Sequence, residues 1–536
     1  MSSGFVITNA NIVTLDPLNP RVEAISISRG KITSVGTRGH VLKKANNSEI
    51  LDLGRKTVLP GFIDSHVHLA DFGLTVRTLD LEGITTIEEI QGLLERRIKE
   101  TPKGAWVVGR GWSEHKLGRL LTRWDLDGVS PHNPVYLHHY TCHATVLNSK
   151  GLEESKIDKN TVDPIGGWIV MDSITGEPTG FLRSNARFLP PVGLNGVRPR
   201  PGKTEHRSAI ITGANAAVEY GLTSIHVPSA DLDDVEICCE LASKGMLPLR
   251  VDLMLKVELF DKLPTIRIPQ EVSDRVKLKT VKIFSDGSLI AHTAALKEPF
   301  IGEKDNRGIL GDKKLFTDQI VEVHKAGFQL AVHATGDRAV ESVLDAFQRA
   351  QAESPRDDCR HRIEHGSLID SSLRKRAKVL GVIVSTQPEL LTKYGDRFVK
   401  SLGSDRVGNA YALKSLLNEG VVVAGGSDCP LTYCRPLKGI EAAVTRVSEI
   451  TGEVISPEQR LTLDEAVKLY TINPAYAAFS ENVKGSIKVG KYADLTVLDI
   501  DPWSVEPSEI SKIKVEMTIV NGEIVYNRKG KTGRLF

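Results

Sequence analysis

The sequence predicts an α/β chain with three parts: a (β/α)8 barrel of the TIM type, a small β-sandwich domain formed by both termini, and an α+β subdomain inserted after the first barrel strand. Three observations carry this. Eight apolar strand segments alternate with amphipathic helical stretches through the middle of the chain. Both ends are rich in short strands and tight turns. Roughly 150 residues separate the first barrel segment from the second, far more than one crossover helix needs.

At the start, FVITNANIVTL and VEAISISRGKITSVG read as strands, with Arg29-Gly30 as a hairpin turn. At the end, ADLTVLDID and VEMTIVNGEIVYN alternate apolar and polar residues, and Asn521-Gly522 is a strong two-residue hairpin signal. Residues 1–57 and 482–536 are therefore expected to build one composite β-sandwich. The barrel is assigned to 58–68 and 204–481. Its strand segments are TVLPGFIDSHVH (57–68), LTSIHV (222–227), LPLRVDLML (247–255), KLKTVKIFSDG (277–287), FQLAVHATG (328–336), RHRIEHGS (360–367), VIVSTQP (382–388) and VVVAGGSD (421–428). A doubly wound open sheet would want a Gly-rich phosphate turn after its first strand, and none is present. The stretch 69–203 has its own helix, TIEEIQGLLERRIKE, and its own strands, AWVVGRGW and PVYLHHYT. It reads as a subdomain over the barrel mouth.

Composition excludes several classes. The 536 residues are 40% hydrophobic and 25% charged, which argues against disorder, collagen and coiled coil. Lys plus Arg is 69 against 67 for Asp plus Glu, a net charge of +2, so there is no electrostatic footprint for nucleic acid or an anionic membrane. Six Cys without metal-ligand spacing read as reduced thiols. No secretory signal pattern opens the chain, and no apolar run reaches the length of a membrane span. A soluble cytoplasmic protein is expected, with a small molecule as its partner.

Polar residues gather at the C-terminal ends of the barrel segments: His66 and His68, Lys282, His333, His365 and Asp428. In a barrel those ends meet on one face. His66 and His68 are two apart and share a side. Val281 and Ile283 suit the helix layer, which aims Lys282 inward. Any one of these histidines alone reads as a satisfied core residue, Lys282 alone as an ion-paired lysine, and Asp428 alone as a turn or capping residue. Six polar groups at matching strand ends are hard to ascribe to packing. Four His and an Asp suit Zn²⁺ and similar divalent ions. A lysine among them makes sense if its amine has taken up CO2 as a carbamate, an anionic bridge between two metals. Two metals could then hold a hydroxide and polarise a carbonyl, the logic of metal-assisted hydrolysis.

PGFIDSHVHL (60–69) resembles the signature of the amidohydrolase superfamily. The ordered set GRGWSEH (109–115), His143 before NSKGL, VKIFSDGSL (281–289), HATGDRA (333–339), RIEHG (362–366), GSDCPL (426–431) and the tail NPA…GSIKVGKYADLTVLD (473–499) resembles its amidohydrolase family 3 branch. That branch includes N-substituted formamide deformylase and YtcJ-like hydrolases. The resemblance implies that His66 and His68 bind one metal and that carboxylated Lys282 bridges it to a second, held by His333 and His365. It implies that Asp428 binds the first metal and shuttles a proton from the attacking water to the leaving nitrogen. Two Zn per chain are expected, with Mn, Fe or Co as alternatives, and a single-metal site if Lys282 is unmodified. Substrate contacts are assigned to His143, His226, His292, Gln387 and Arg183. Ser184 departs from the acid common in related sequences. Asp286 is a candidate to orient a ligand, and Asp337 to cap a helix. The expected activity is metal-dependent hydrolysis of non-peptide carbon–nitrogen bonds in a small amide, N-substituted formamide foremost. Cyclic-amide opening or deamination on the same fold is the alternative, and a non-catalytic scaffold is the alternative of another class. A homodimer is a habit of the superfamily.

Overall fold

Eight parallel strands form one sheet in the computed structural model, which describes residues 4–45, 48–76, 78–140, 144–164, 166–190 and 202–530. In chain order they are β1 (Phe62–Asp64), β2 (Leu222–Ala230), β3 (Arg250–Lys256), β4 (Val276–Phe284), β5 (Gln329–Ala334), β6 (Arg362–His365), β7 (Ile383–Thr386) and β8 (Val423–Gly425). Each pairs with its sequence neighbour. Between β1 and β8, Ser65 N–H donates to Gly425 O at 3.0 Å, and Val67 forms a parallel bridge with Cys429. Those contacts close the sheet into a barrel. The strands are short and buried on both faces, as a helix-wrapped parallel sheet requires. Helices such as Leu232–Ser243, Lys313–Lys325 and Asp337–Glu353 follow individual strands.

The segment expected as a single first strand, 57–68, divides. Thr57–Pro60 pairs antiparallel with Leu495–Leu498, in a different sheet. Only Phe62–Asp64 enters the barrel. The break falls at Pro60-Gly61. Pro60 has no N–H for a ladder, and a Cβ on Gly61 would lie 2.3 Å from the Thr223 side chain.

The chain termini build two sheets, in the strand orders 31–36, 24–28, 5–8, 49–52 and 523–527, 515–520, 495–498, 57–60, 11–13, 21–22. Ile7, Ile25, Val58, Leu495, Val497 and Ile519 share one buried core between them. Both expected hairpin turns form. Arg29 and Gly30 have φ of 50° and 75°, and Asn521 and Gly522 have 55° and 74°, the doubly left-handed geometry that matches strand twist. A Cβ on Gly30 would stand 2.4 Å from Asn521 Oδ1 and 2.9 Å from its carbonyl. Gly30→Ala is therefore expected to cost about 1–3 kcal/mol, read as a lowered thermal midpoint. Gly54→Ala, at φ 56° with open space around it, serves as the reference for strain without a clash.

The chain separates into two compact units, Met1–Leu69 with Ala214–Phe536, and Ala70–Gly213. The second has its own six-stranded mixed sheet, in which Val107–Trp112 and Val135–His139 pair parallel. Its helix Ile87–Lys99 starts at a Thr86/Glu89 capping box and buries Ile90 and Leu94 in that unit's core. Among the described residues no helix is long and apolar enough to cross a membrane.

Candidate metal centre

β1 and β8 end side by side and bring three donors together. His66 Nε2 and His68 Nε2 lie 3.6 Å and 3.3 Å from Asp428 Oδ1. Their ligand atoms all fall within 4.8 Å of one another. The two loops are tied from below by Asp64, a fully buried carboxyl that accepts from the His66 and Ser427 N–H groups at 3.0 Å each. Burial pushes Asp64 up to about 7. Asp428 N–H donates to His66 O at 2.8 Å, which holds Asp428 at φ 54°. His365 has φ 72°. Left-handed backbone at two non-glycine positions is strain that the surrounding contacts impose, and here it re-aims side chains just past the strand ends. Burial pushes the Asp428 carboxyl up, but the His68 hydrogen bond and the nearby His66 and His365 outweigh it and hold it well below the usual range.

β5 and β6 supply a second pair. The His333 and His365 rings lie 4.5 Å apart, and His365 is 5.0 Å from His66. Each ring has one nitrogen occupied. His333 Nε2–H donates to Gly287 O at 2.9 Å, and His365 Nδ1–H donates to Gln387 Oε1 at 2.8 Å. That leaves His333 Nδ1 and His365 Nε2 as the available lone pairs. Asp286 accepts from the Ala295, Thr335 and Gly336 N–H groups and the Thr335 hydroxyl, and braces the loop carrying Gly287. Asp337 is the first residue of its helix rather than the cap. Its carboxylate accepts from the Lys297 and Arg338 N–H groups.

Lys282 lies on β4 with 2% of its surface exposed. Among the described residues its ammonium has no hydrogen-bond partner, and it sits 4.8 Å from the centre of the Phe284 ring. Burial pulls Lys282 down to about 8. Val281 and Ile283 pack on the other face, as the alternation requires, while Phe284 is 55% exposed. An orphaned buried amine beside imidazoles and a carboxylate is unstable as a resting arrangement unless something else occupies the site.

Beneath His66 lies a layer that the sequence reading missed. Glu364 Oε2 is 2.5 Å from His66 Nδ1. Arg362 clamps the same carboxylate at 2.7 and 3.1 Å, and also reaches Ser65 O and His226 Nδ1. Burial pushes Glu364 up, but Arg362 and His66 overcome this and hold it well below the usual range. Burial drags His66 down to about 3, so the ring is neutral and its Nε2 lone pair faces Asp428. Two charges spaced i and i+2 in the RIEHG strand were the available signal, since such a pair shares one face of an otherwise apolar strand.

The expected substrate contacts fare differently. His226 is buried against Arg362 under the cluster, not among the clustered donors. His292 pairs with Glu303 at 2.6 Å and stacks on Phe300, apart from the clustered residues. Gln387 is buried and spends its carbonyl on His365. Arg183 belongs to the other unit and lies over Phe181. His143 falls outside the described residues. A second buried group, His324, Cys359 and His361, also has closely spaced donors. There Leu330 N–H donates to His361 Nδ1, the two rings share a 2.8 Å hydrogen bond, and His324 Nε2 meets Ser354 O. Every ring nitrogen of that pair is already occupied.

Comparison with known proteins agrees with this geometry. The Amidohydrolase family profile matches residues 49–526. The chain is 33% identical to YtcJ of Bacillus subtilis (strain 168), over 96% of this chain and 98% of that protein. It is 31% identical to the N-substituted formamide deformylase of Arthrobacter pascens, over 98% of both. The crystal structure of an uncharacterised metal-dependent hydrolase from Pyrococcus furiosus superposes with a TM-score of 0.75 at 30% identity, covering 93% of this chain and 99% of that one. With the barrel closed and the polar cluster at its strand ends, the chain belongs to the amidohydrolase family of enzymes that hydrolyse carbon–nitrogen bonds.

Proposed function

We propose that this enzyme is a metal-dependent hydrolase of non-peptide carbon–nitrogen bonds in small molecules, with a small amide or N-substituted formamide as substrate. The observation that carries the reading is the meeting of His66, His68, His333, His365 and Asp428 around a buried, unpartnered Lys282. Imidazole and carboxylate donors with free lone pairs suit Zn²⁺, Mn²⁺, Fe²⁺ or Co²⁺. His66, His68 and Asp428 would hold one ion, and His333 and His365 a second. Lys282 would bridge them as a carbamate: its ammonium would lose one proton to solvent, and the amine would add to CO2 and lose a second, so that a buried cation would become an anion. When bound, such metals polarise the substrate carbonyl and make water acidic enough to react near neutral pH.

The chain's own residues do the rest. Asp428 accepts the proton of the attacking water and returns it to the leaving nitrogen. Glu364 fixes the His66 ring through Nδ1, Gly287 fixes His333 through Nε2, and Gln387 fixes His365 through Nδ1. The exposed face of Phe284 offers an apolar surface to one substrate substituent.

The test is chelation followed by readdition of each metal, with hydrolysis of N-substituted formamides, simple amides and lactams as the readout. Activity should vanish and return with metal. Full activity in the metal-free protein would remove the reading. Lys282→Ala is expected to lose about one metal per chain and to slow turnover by about 100-fold or more. Unchanged metal content and turnover would contradict the carbamate bridge.

A further inference from the structure

We propose that the floor of the barrel, at the N-terminal ends of β3 and β4, is a binding site for a small oxyanion of the carboxylate or phosphate class, separate from the histidine cluster. A cavity of about 210 Å³ lies there. That is below the roughly 300–1,000 Å³ of pockets for drug-sized ligands, so the occupant is small. A narrower cleft bordered by His226 adjoins it, sharing Asp252, Lys277 and Phe479 in its walls.

The walls carry more donors than acceptors. Arg250, Arg275, Lys277 and Lys484 face only Asp252 and Asp274. Two of these cations are already satisfied. Arg250 grips Asp494, behind the wall, at 2.7 and 3.1 Å and touches Asp274 at 3.2 Å. Lys484 holds Asp252 at 3.1 Å and the Ser224 hydroxyl at 3.0 Å. The other two are not. Among the described residues Lys277 has only the Ser480 hydroxyl as a hydrogen-bond partner, at 2.6 Å, with the Asp252 charge nearby. Arg275 reaches the Pro248 carbonyl at 3.4 Å and stands 4.0 Å from the Asp274 already touched by Arg250.

The adjoining cleft adds a donor, His226, by a separate argument. Arg362 cannot give up its proton, so it must donate to His226 Nδ1, at 3.0 Å. The neutral ring then carries its proton on Nε2. That N–H is fully buried, borders the cleft and, among the described residues, has no hydrogen-bond partner, with Asp252 Oδ2 3.7 Å away. A buried unpaired donor is costly, and an oxygen acceptor in the adjoining cleft would relieve it. Burial depresses the Lys277 ammonium; Asp252 opposes this, and the Lys484, Lys279 and Arg250 charges add to it. Burial and the Arg250 charge likewise depress Arg275, against the opposing Asp494, Asp274 and Glu523 charges. Lys277 and Arg275, two residues apart, both line the cavity and supply cationic donors for the oxygens of one group.

Equilibrium binding to the metal-loaded full chain tests this at constant ionic strength in chloride. Inorganic phosphate is one probe, followed by phosphorus NMR, and malonate is the other. The protein should bind at least one probe, and whichever binds identifies the class. The Lys277→Gln/Arg275→Gln double variant should weaken that binding by about tenfold or more. An unchanged affinity in the folded double variant would place the anion elsewhere, at the histidine cluster for example, and overturn the site. No binding of either probe by the unsubstituted protein would overturn it as well. Lys277→Gln alone, at a partly exposed position, keeps the comparison available if the double variant does not fold.

Discussion

Asp428→Asn is expected to lower kcat by about 10²–10⁴-fold, the range that a positioned acid–base group contributes, with the fold intact. The substitution is unusually clean for a backbone reason. Asp428 sits at φ 54°, a region that Asn tolerates nearly as well as any residue other than glycine. The amide keeps the shape and one donor oxygen but cannot take up a proton. Steady-state hydrolysis of the best amide in the panel, with metal content measured on the same sample, separates the two roles proposed for Asp428. A lost metal points to ligation, whereas retained metal with lost kcat points to proton transfer. A kcat within about threefold of the unsubstituted protein would contradict both. Asp428→Ala removes the same group but adds the strain of an alanine at positive φ, so it should also lower the thermal midpoint.

Glu364→Gln is expected to show the other large effect, on stability and metal affinity together. Glu364 is fully buried between Arg362 and His66. Its neutral isostere leaves a buried guanidinium with no carboxylate, and breaking a buried pair in this way costs about 3–5 kcal/mol. It also frees the His66 ring, and loss of such an orienting partner weakens metal binding by about 10–100-fold. Thermal unfolding checks the first effect and competition against a chelator checks the second. Glu364→Asp restores the charge and should recover most of the stability, but its shorter reach should recover less of the metal affinity. Unchanged melting and unchanged affinity in Glu364→Gln would reduce Glu364 to a bystander.

Much of this architecture was legible in linear order because local rules govern it. Strand alternation placed Lys282 inward and Val281 and Ile283 outward, and the Lys282 ammonium lies against the ring of Phe284, the next residue on its own face. The dipeptides Arg29-Gly30 and Asn521-Gly522 marked hairpins because a doubly left-handed turn needs residues that accept positive φ. The donors at the strand ends were readable because a barrel brings equivalent positions of its strands to one face. The misreadings have physical causes too. Thr57–Asp64 carries one continuous apolar pattern, so periodicity could not show that Thr57–Pro60 leaves for another sheet. His292 and His226 have the residue type of a site contact. Their partners, Glu303 and Arg362, are distant in sequence and could not be inferred from it.

Residue types and their spacing thus determined the barrel and the two-sheet terminal domain, and pointed to the side chains proposed to gather at one end. They did so because secondary structure and strand-end position depend on neighbours a few residues apart. Which nitrogen of each imidazole stays free, how Glu364 is shared between His66 and Arg362, and why Lys282 and the His226 N–H lack partners were decided only by the folded arrangement. Hydrogen bonds between residues up to about 300 positions apart set those states, and no local pattern in the chain encodes them.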